Sequence, residues 1–457
     1  MGKEVIIQGV PGEKIQVFVD GEIKEIQNEL GELKALLQNL SIQNIQYADK
    51  IYNIEHIDEA NFGFITGKKA FNEVLVRRLI ESIAPYSPDA QTVLNYVQKN
   101  QIENWESQNK FARKAKEILA YSFVGVLGIQ LSQLMAIGSD SYSEGKVRNY
   151  IDKCLYLAKR SLELVTFTYI SVLWDYLKTK GLNLDQESRE VLRAFFEDHF
   201  ESNFPQKRQL LKTLTKIFVQ HQLPLPYEEM HGFEAILEEE SKFCQSLQAL
   251  QNLEEKRSRE EFDLLVCLEA EKNLSQILSA FAFLADYKMA SIKQVGYKQL
   301  RNADPNYMHR YTALGIDNKA NQDAEKYLYT PQSTTTDSVL IYKGTHYQKN
   351  MNLFPFVIDY NALTFESGAK VCFFQCRSIN DPNILEYLFL EDGSIQRIEL
   401  KNILQTYPNL NHLIADKDKF KLHNIDSVVL QFQEARQQIL GGGNSDPKGD
   451  EFENLFD

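Results

Sequence analysis

Apolar residues recur near the start of the chain with a strict heptad spacing. The intervals between them alternate between three and four residues, which predicts a continuous coiled-coil seam along a helix from about Gly21 to Leu40. We therefore expect homo-oligomerisation through this N-terminal helix. The residues at its a and d positions are Ile23, Ile26, Leu30, Leu33, Leu37 and Leu40.

Neighbouring positions modify this coiled-coil prediction. Glu29 and Lys34 occupy successive g and e positions, where they can pair between parallel helices. Gly31 lies inside the predicted helix and costs about 1 kcal/mol relative to alanine. Leu36 at a g position widens the apolar face. The wider face suits a three- or four-helix assembly, or packing of the helix on the protein's own body.

Short runs without a helical period flank the heptad segment. Residues 4–8 and 14–19 surround Val10-Pro11-Gly12, which predicts a small β-hairpin. Residues 46–66 mix Asn, Gln, Ile and Tyr in an irregular order. We expect an extended linker there.

Helical periodicity dominates from Lys68 to about Lys298. Ser87-Pro88-Asp89 places a capping residue before a first-turn proline, which indicates a helix start. A long helix is predicted over 145–178, apolar around much of its circumference. The first helix of this region has its apolar stripe at Phe71, Val74, Leu75 and Leu79.

The stretch Ile118–Gly138 has 21 residues without a charge, enough to cross a bilayer. Ser122, Gln130 and Gln133 would form a narrow polar strip along it. The two glutamines would lie at a depth where polar groups are costly in lipid. We therefore expect a buried central helix. Association with a membrane is not expected. A membrane-perturbing effector that uses 118–138 is the alternative.

The apolar period changes beyond residue 300. Turn-forming residues dominate 301–336, which predicts a linker. Glu391-Asp392-Gly393-Ser394 is typical of a hairpin turn, and Asp426–Leu440 has a helical pattern. We expect an antiparallel sheet with strands at Val339–Tyr342, Phe354–Ile358, Lys370–Arg377, Leu385–Leu390 and Ile395–Leu400.

These patterns predict a mainly α protein. It would have an N-terminal β-hairpin plus coiled-coil helix, a large helical domain, and a small C-terminal α+β domain with an antiparallel sheet. The predicted parts are 1–45 for the hairpin and coiled-coil helix, 46–66 for the extended linker, 67–300 for the helical domain, 301–336 for a second linker, 337–440 for the α+β domain, and 441–457 for a flexible Gly-rich linker and an acidic-aromatic tail.

Composition bears on the compartment and the partners. The 457 residues carry a formal net charge of −13 without a long basic block, so nucleic acid is disfavoured as the main partner. Five scattered cysteines indicate a reducing compartment, and we expect a cytoplasmic location. Cys372 and Cys376 fall on a predicted strand, roughly 13 Å apart, which is too far for one zinc ion. We expect neither a metal site nor a cofactor.

Two short motifs carry residue types found in catalytic sites. Arg193 and His199 have the Arg-x(4–6)-His spacing of HEPN-type ribonucleases, so a HEPN-like ribonuclease effector is the enzyme alternative. Six residues apart on one helix means about 240° of rotation, so the two side chains would converge only at a helix end or across a dimer. Gly63–Lys69 resembles a phosphate-binding loop but is one residue short. We therefore assign no catalytic residues from the sequence, and Arg193 and His199 remain the alternative.

Acidic and aromatic residues alternate over Asp450–Asp457, after a Gly-rich stretch at 441–449. Phe452, Leu455 and Phe456 are the apolar members of this segment. Such a peptide can dock in a basic-rimmed apolar groove on a partner. A solubilising tail is the plainer alternative.

Residues 48–62 read Ala-Asp-Lys-Ile-Tyr-Asn-Ile-Glu-His-Ile-Asp-Glu-Ala-Asn-Phe. They resemble linker segments of bacterial conflict and antiphage proteins, which couple a sensor, often a STAND-type ATPase, to an effector. The resemblance implies an accessory role in such a defence system, with a protein partner that can come from the same operon. It transfers no catalytic residue. We therefore favour an oligomeric adaptor or sensor protein over an enzyme.

Overall fold

The computed structural model of the protein contains a group of N-terminal strands and a larger body that begins at residue 72. Side chains are described from Asn72 onward. The described ranges are 4–8, 15–19, 22–26, 44–47, 50–52, 72–100, 109–139, 144–197, 203–257, 262, 264–302, 304–315, 326–330, 337–344, 349–378, 380–381, 383–399 and 417–441.

Short strands near the N-terminus form one five-stranded sheet in the order β3-β2-β1-β4-β5. β1 and β2 pair antiparallel, over the residues expected to form a hairpin. β4 pairs parallel with β1 and antiparallel with β5, so strands occupy the beginning of the segment predicted as an extended linker. The strands are β1 (Glu4–Gln8), β2 (Ile15–Val19), β3 (Glu22–Ile26), β4 (Asn44–Tyr47) and β5 (Lys50–Tyr52).

The first part of the predicted coiled-coil helix is wrong, because Ile23 and Ile26 lie on strand β3. The register pairs Val19 with Glu22. The two residues between them, Asp20-Gly21, are a pair that tight hairpin turns favour. This turn chemistry prevails over the helical period at the start of the heptads. The remaining heptad residues Leu30, Leu33, Leu37 and Leu40 lie outside the described residues, so their part of the coiled coil stays a prediction.

A single long helix, α5, is the centre of the helical body. The prediction of a long helix over 145–178 is confirmed: α5 has 37 residues, a length of about 55 Å. Every residue from Arg160 to Ser171 is buried, and α5 packs against α4, α7 and α9. The helices are α1 (Glu73–Ile83), α2 (Pro88–Asn100), α3 (Asn109–Ser122), α4 (Gly125–Ser139), α5 (Glu144–Lys180), α6 (Gln186–Glu197), α7 (Phe204–Gln220), α8 (Lys242–Lys256) and α9 (Leu264–Ala280).

The charge-free stretch 118–138 forms two buried helices rather than one. α3 ends at Ser122 and α4 begins at Gly125. A Cβ at Gly128 would lie only 2.2 Å from the carbonyl oxygen of Ala120, so glycine permits this close approach. Among the described helices, none combines the length and the apolar character that crossing a bilayer requires.

The polar strip predicted along 118–138 is hydrogen-bonded inside the protein. Gln130 donates through Nε2 to the carbonyl oxygen of Leu390 at 2.7 Å. Lys153 Nζ donates to the side-chain oxygens of Gln130 and Gln133. Ser122 Oγ lies 3.0 Å from Ser87 Oγ. These partners explain how polar groups are accommodated between packed helices.

The helical pattern ends earlier than predicted, because β6 (Tyr287–Lys298) already belongs to a sheet. β7 (Asn306–Leu314) and β8 (Lys326–Thr330) lie in the region predicted as a linker. The inner half of β6 is almost completely buried. A strand buried on both faces has no polar-apolar alternation, so its pattern cannot be told from that of a buried helix.

The strands predicted at 339–342, 370–377, 385–390 and 395–400 are confirmed, and they are divided between two sheets. The predicted strand Phe354–Ile358 is confirmed only at its last two residues, because residues 354–356 form a turn. The second sheet has the order β10-β9-β6-β7-β8, and the third has the order β11-β12-β13-β14. The predicted helix at Asp426–Leu440 is also confirmed, as part of α11. The elements are β9 (Val339–Lys343), β10 (Asn350–Asn352), β11 (Val357–Asp359), α10 (Tyr360–Leu363), β12 (Val371–Arg377), β13 (Ile384–Phe389), β14 (Ile395–Glu399) and α11 (Lys417–Leu440).

The helices and the third sheet share one hydrophobic core. Phe167 on α5 lies 5.6 Å from Phe373 on β12, measured between ring centroids. Phe195 on α6 is 5.4 Å from Phe374, which in turn is 4.9 Å from Phe432 on α11. Residues assigned to the predicted domains 67–300 and 337–440 are therefore packed together, while the domain boundaries themselves stay a prediction.

Polar contacts attach α11 to the long helix α5. The indole N–H of Trp174 donates to Gln438 Oε1 at 2.9 Å. Nearer the end of α5, Lys178 Nζ lies 3.1 Å from Glu434 Oε1. Both contacts bind the last described helix to the centre of the molecule.

Candidate functional site

The outer half of the β6–β7 hairpin extends beyond the hydrophobic core. Its inner residues are buried, whereas Tyr297 and Lys298 at the end of β6 are exposed. The turn that follows includes Asn302, whose φ of 66° lies in the left-handed region that asparagine tolerates. Together with the adjoining strand β8, we term residues 294–311 and 326–330 the hairpin tip.

The strand register brings apolar and aromatic side chains to one face of the hairpin tip. Tyr297 pairs with Tyr307, and their ring centroids are 5.7 Å apart. Alternation along each strand places Tyr311 on the same face as Tyr307. We term Val295, Tyr297, Tyr307, Tyr311 and Leu328 the aromatic face. Three of them pack against a small buried cluster formed by Ala290, Ile292, Leu340 and Tyr342.

Exposure increases toward the end of the hairpin. Tyr297 is 62% exposed and Leu300, in the turn, is 65% exposed. Tyr327 on the neighbouring strand β8 is 54% exposed, but it alternates with Leu328 and therefore lies on the opposite face of the sheet from the aromatic face. Tyr297 and Leu300 are thus the strongly exposed apolar residues at the end of the hairpin, next to a partly buried aromatic face. Exposed apolar surface that adjoins further apolar residues marks interaction sites.

The hairpin tip is basic, although the whole chain is acidic. Four basic side chains stand against the single carboxylate of Asp304, a net charge of +3. Burial lowers the pKa of His309, so this imidazole adds no charge near neutral pH. The basic residues are Lys298, Arg301, Arg310 and Lys326.

A buried carboxylate fixes the base of the hairpin. Asp359 Oδ2 accepts hydrogen bonds from Ser291 Oγ at 2.6 Å and from Lys293 Nζ, both on β6. Its Oδ1 accepts from the backbone N–H of Lys370 at 2.8 Å. Asp359 is the last residue of β11 in the third sheet, and Ser291 and Lys293 lie on β6 in the second sheet. These hydrogen bonds therefore join the two sheets. The hairpin tip therefore projects from a rigid base.

A second charged cluster lies inside the protein, between α5 and α7. Glu163 is held by Lys207 Nζ at 2.7 Å and by Arg160 Nη1 at 2.7 Å. Burial lowers the pKa of Lys207. The adjoining cavity, bordered by Gln375 among others, has a volume of about 10 Å³, the space of roughly one water molecule. It is too small for a substrate, and the cluster serves as a charged junction between helices.

A third polar group surrounds Glu271 on α9. Its carboxylate accepts hydrogen bonds from the backbone N–H groups of Asn72 at 3.1 Å and Leu75 at 3.0 Å. Tyr150 Oη donates to the same carboxylate at 2.8 Å. Glu271 thus satisfies the free N–H groups at the beginning of α1, as a capping residue does. Burial raises the pKa of Glu271.

The predicted HEPN pair is described only in part. Arg193 on α6 is half exposed, and its Nε lies 3.5 Å from Glu197 Oε2 one helical turn away. Glu197 also accepts a hydrogen bond from Arg436 Nη2 on α11 at 2.6 Å. Arg193 therefore belongs to a helix-to-helix charge network. His199 lies outside the described residues, so its distance from Arg193 is untested.

The other predicted functional residues are located as follows. Cys372 and Cys376 lie on β12, the first of them fully buried. Within the described residues, no group of three His, Cys, Asp or Glu side chains is placed to hold a metal ion. The acidic-aromatic residues Phe452, Leu455 and Phe456 lie outside the described part of the chain.

The sequence pattern does not predict the hairpin tip, because it places residues 287–298 in the helical domain and 301–336 in a linker. One signal for it was present. The turn-forming run Asn302–Asn306 is flanked by tyrosines at 297 and 307, and a short turn between β-favouring residues is typical of a hairpin.

The comparisons with known proteins add no assignment: no protein-family model matches the chain, and no curated protein or solved structure is significantly similar to it.

Proposed function

We propose that this protein is an adaptor or sensor that binds a protein partner through the aromatic face of the hairpin tip. The observation that carries the proposal is that the exposed Tyr297 and Leu300 adjoin a partly buried aromatic face, on a projecting hairpin with a local positive charge and an anchored base. Tyrosine is enriched at protein interfaces because it buries a large area at a low cost in conformational entropy.

The anchoring of the hairpin favours a recognition role. The Asp359 bonds to Ser291 and Lys293 fix the hairpin base before a partner arrives. Preorganised surfaces bind more tightly because less ordering is paid on association. Tyr297 and Leu300, which are both more than half exposed, would be the anchor residues of the interface.

Two further parts of the proposal rest on sequence. The resemblance of residues 48–62 to linkers of antiphage proteins favours an accessory role in a bacterial defence system. The heptad residues Leu30–Leu40 favour a homo-oligomer. Light scattering tests the second point: Leu30→Asp plus Leu37→Asp should lower the mass of the purified protein to that of a monomer. A mass that the two substitutions leave unchanged contradicts it.

Site-specific photo-crosslinking tests the proposed partner surface. A photo-reactive amino acid replaces Tyr297 in one variant and Tyr121 in a second, and both variants are expressed with the neighbouring genes. Tyr121 on α3 is a matched control because it is 56% exposed and lies outside the hairpin tip. We expect one defined protein adduct from position 297 and none from position 121. The absence of an adduct at 297, or the same adducts at both positions, would overturn the proposal.

A further inference from the structure

The aromatic face has a chemical counterpart within the same chain. The segment 450–457 carries four carboxylates and three large apolar side chains, whereas the hairpin tip has an aromatic face and a net charge of +3. We propose that segment 450–457 docks on the aromatic face of the hairpin tip. This inference rests on the proposed function, since it names the chemistry that the same surface recognises.

The spacing within the segment fits a single docking face. Phe452, Leu455 and Phe456 stand at positions i, i+3 and i+4, so one turn of helix brings them to one side. The carboxylates then lie on the other side, which lets them reach toward basic residues at the border of the site. An amphipathic turn in an apolar groove is a common mode of peptide recognition.

Basic residues that are opposite in charge to segment 450–457 lie at the border of the aromatic face. Arg301 is exposed in the turn at the end of the hairpin, whereas Lys298 alternates with Tyr297 and lies on the opposite face. Lys326 begins the neighbouring strand and pairs with Tyr311. The carboxylates of Asp450, Glu451, Glu453 and Asp457 complement Arg301 and Lys326.

The connection to the body supports docking of a short peptide. The last described helix ends at Leu440, and the following residues Gly441–Gly449 have the composition of a flexible linker. A tethered peptide acts at an effective concentration of the order of millimolar, so weak contacts suffice for occupancy.

Peptide binding to the full-length protein tests the inference. The protein carries Phe452→Ser plus Phe456→Ser, so that its own segment no longer competes. The probe is a fluorescein-labelled peptide of residues 444–457, followed by fluorescence anisotropy. We expect saturable binding that weakens at least about tenfold when the salt concentration rises from about 50 mM to about 500 mM, because exposed charges are then screened. The same peptide with both phenylalanines replaced by serine should not bind.

Substitutions on the protein locate the binding surface. Tyr297→Asp should weaken peptide binding at least about tenfold, because it removes the aromatic contact and adds a repelling charge. Arg301→Glu plus Lys326→Glu should have a similar effect, and these residues are exposed, so the fold is preserved. Tyr121→Asp is the matched control and should leave binding unchanged. Circular dichroism verifies that all variants fold.

The outcomes separate the two proposals. Absence of peptide binding, or binding that Tyr297→Asp leaves unchanged, overturns the docking of segment 450–457. A Tyr297-dependent binding of a single-stranded oligonucleotide in place of the peptide also overturns it, since basic and aromatic surfaces can stack bases. If the peptide fails while crosslinking at 297 still yields a partner, only this inference fails. If both fail, the proposed function fails as well.

Discussion

The Glu271 carboxylate lies inside the helical body, where it accepts hydrogen bonds from the first turn of α1 and from Tyr150. Burial raises its pKa above the ordinary value of 4.5, against the effect of these hydrogen bonds. The folded protein therefore holds this proton more tightly than the unfolded chain does. The resulting contribution to the free energy of unfolding is complete below pH 4.5, and it is lost as the pH rises through the raised pKa.

We predict from this that the stability advantage of the wild type over Glu271→Gln shrinks as the pH rises above 4.5. The glutamine cannot titrate, so the variant lacks the pH dependence that Glu271 contributes. Urea denaturation of both proteins between about pH 4 and about pH 8 measures the difference in the free energy of unfolding. A difference that stays constant with pH would contradict the prediction. Glu240→Gln, at an exposed site, is the control.

Gln130 and Gln133 show how much the sequence predicts about single polar residues. The polar character of Gln130 and Gln133 within an uncharged stretch argued for a buried helix rather than a membrane span, and both residues are hydrogen-bonded to Lys153. Their partners could not be named in advance. Leu390, whose carbonyl oxygen binds Gln130, lies 260 residues away, and nothing local specifies that contact.

At the scale of elements, the break between α3 and α4 depends on glycine. A Cβ at Gly128 would meet the Ala120 carbonyl oxygen at 2.2 Å. We predict that Gly128→Ala lowers the free energy of unfolding by about 1–3 kcal/mol, because one of the two packed helices must shift. Chemical denaturation gives the value.

Gly145→Ala is the matched control for this substitution. Gly145 lies at the beginning of α5, and a Cβ there would meet no atom within 4 Å. Because alanine favours helix over glycine, we expect the stability to rise by up to about 1 kcal/mol. An equal loss in both variants would contradict the close approach of α3 and α4 as the cause, because a Cβ at Gly145 meets no neighbouring atom.

Elements with a distinct period were predictable, whereas those with mixed signals were not. The long helix α5 and strands β12 to β14 had clear patterns. The sequence predicts a coiled-coil helix over β3 because Ile23 and Ile26 fit a heptad as well as a strand. The pairing of Val19 with Glu22 shows that the strand is the outcome. β6 was mistaken for a helix because its inner half is buried on both faces. The hairpin tip includes the outer half of β6, so the sequence does not predict the candidate site either.

At the scale of the whole molecule, the shared core makes the helices and the third sheet depend on each other. Phe195 on α6 contacts Phe356 and Phe374, whose ring centroids are 5.8 Å and 5.4 Å away. The sequence could not show this, because it predicts where elements lie along the chain but not which distant faces meet. Local turn signals at 301–336 therefore suggested a linker between domains, even though the core is continuous across it.

We predict that α7 and β13 unfold in one cooperative transition. Phe195→Ala should lower the free energy of unfolding of both by about 3–5 kcal/mol, because it leaves a cavity between the helices and the sheet. Hydrogen exchange followed by mass spectrometry at increasing denaturant gives the midpoint for peptides from each element. A lower midpoint for β13 than for α7 would show that the two regions unfold separately.

The bond between Trp174 and Gln438 gives the molecule an optical reporter. The chain has two tryptophans, so Trp105→Phe leaves Trp174 as the single source of indole emission. The Trp174 ring is almost fully buried where α11 meets α5. Detachment of α11 would expose it to water and shift its emission to longer wavelength. Because α11 leads to segment 450–457, this shift in Trp174 emission would show whether a force applied to that segment detaches α11 from α5.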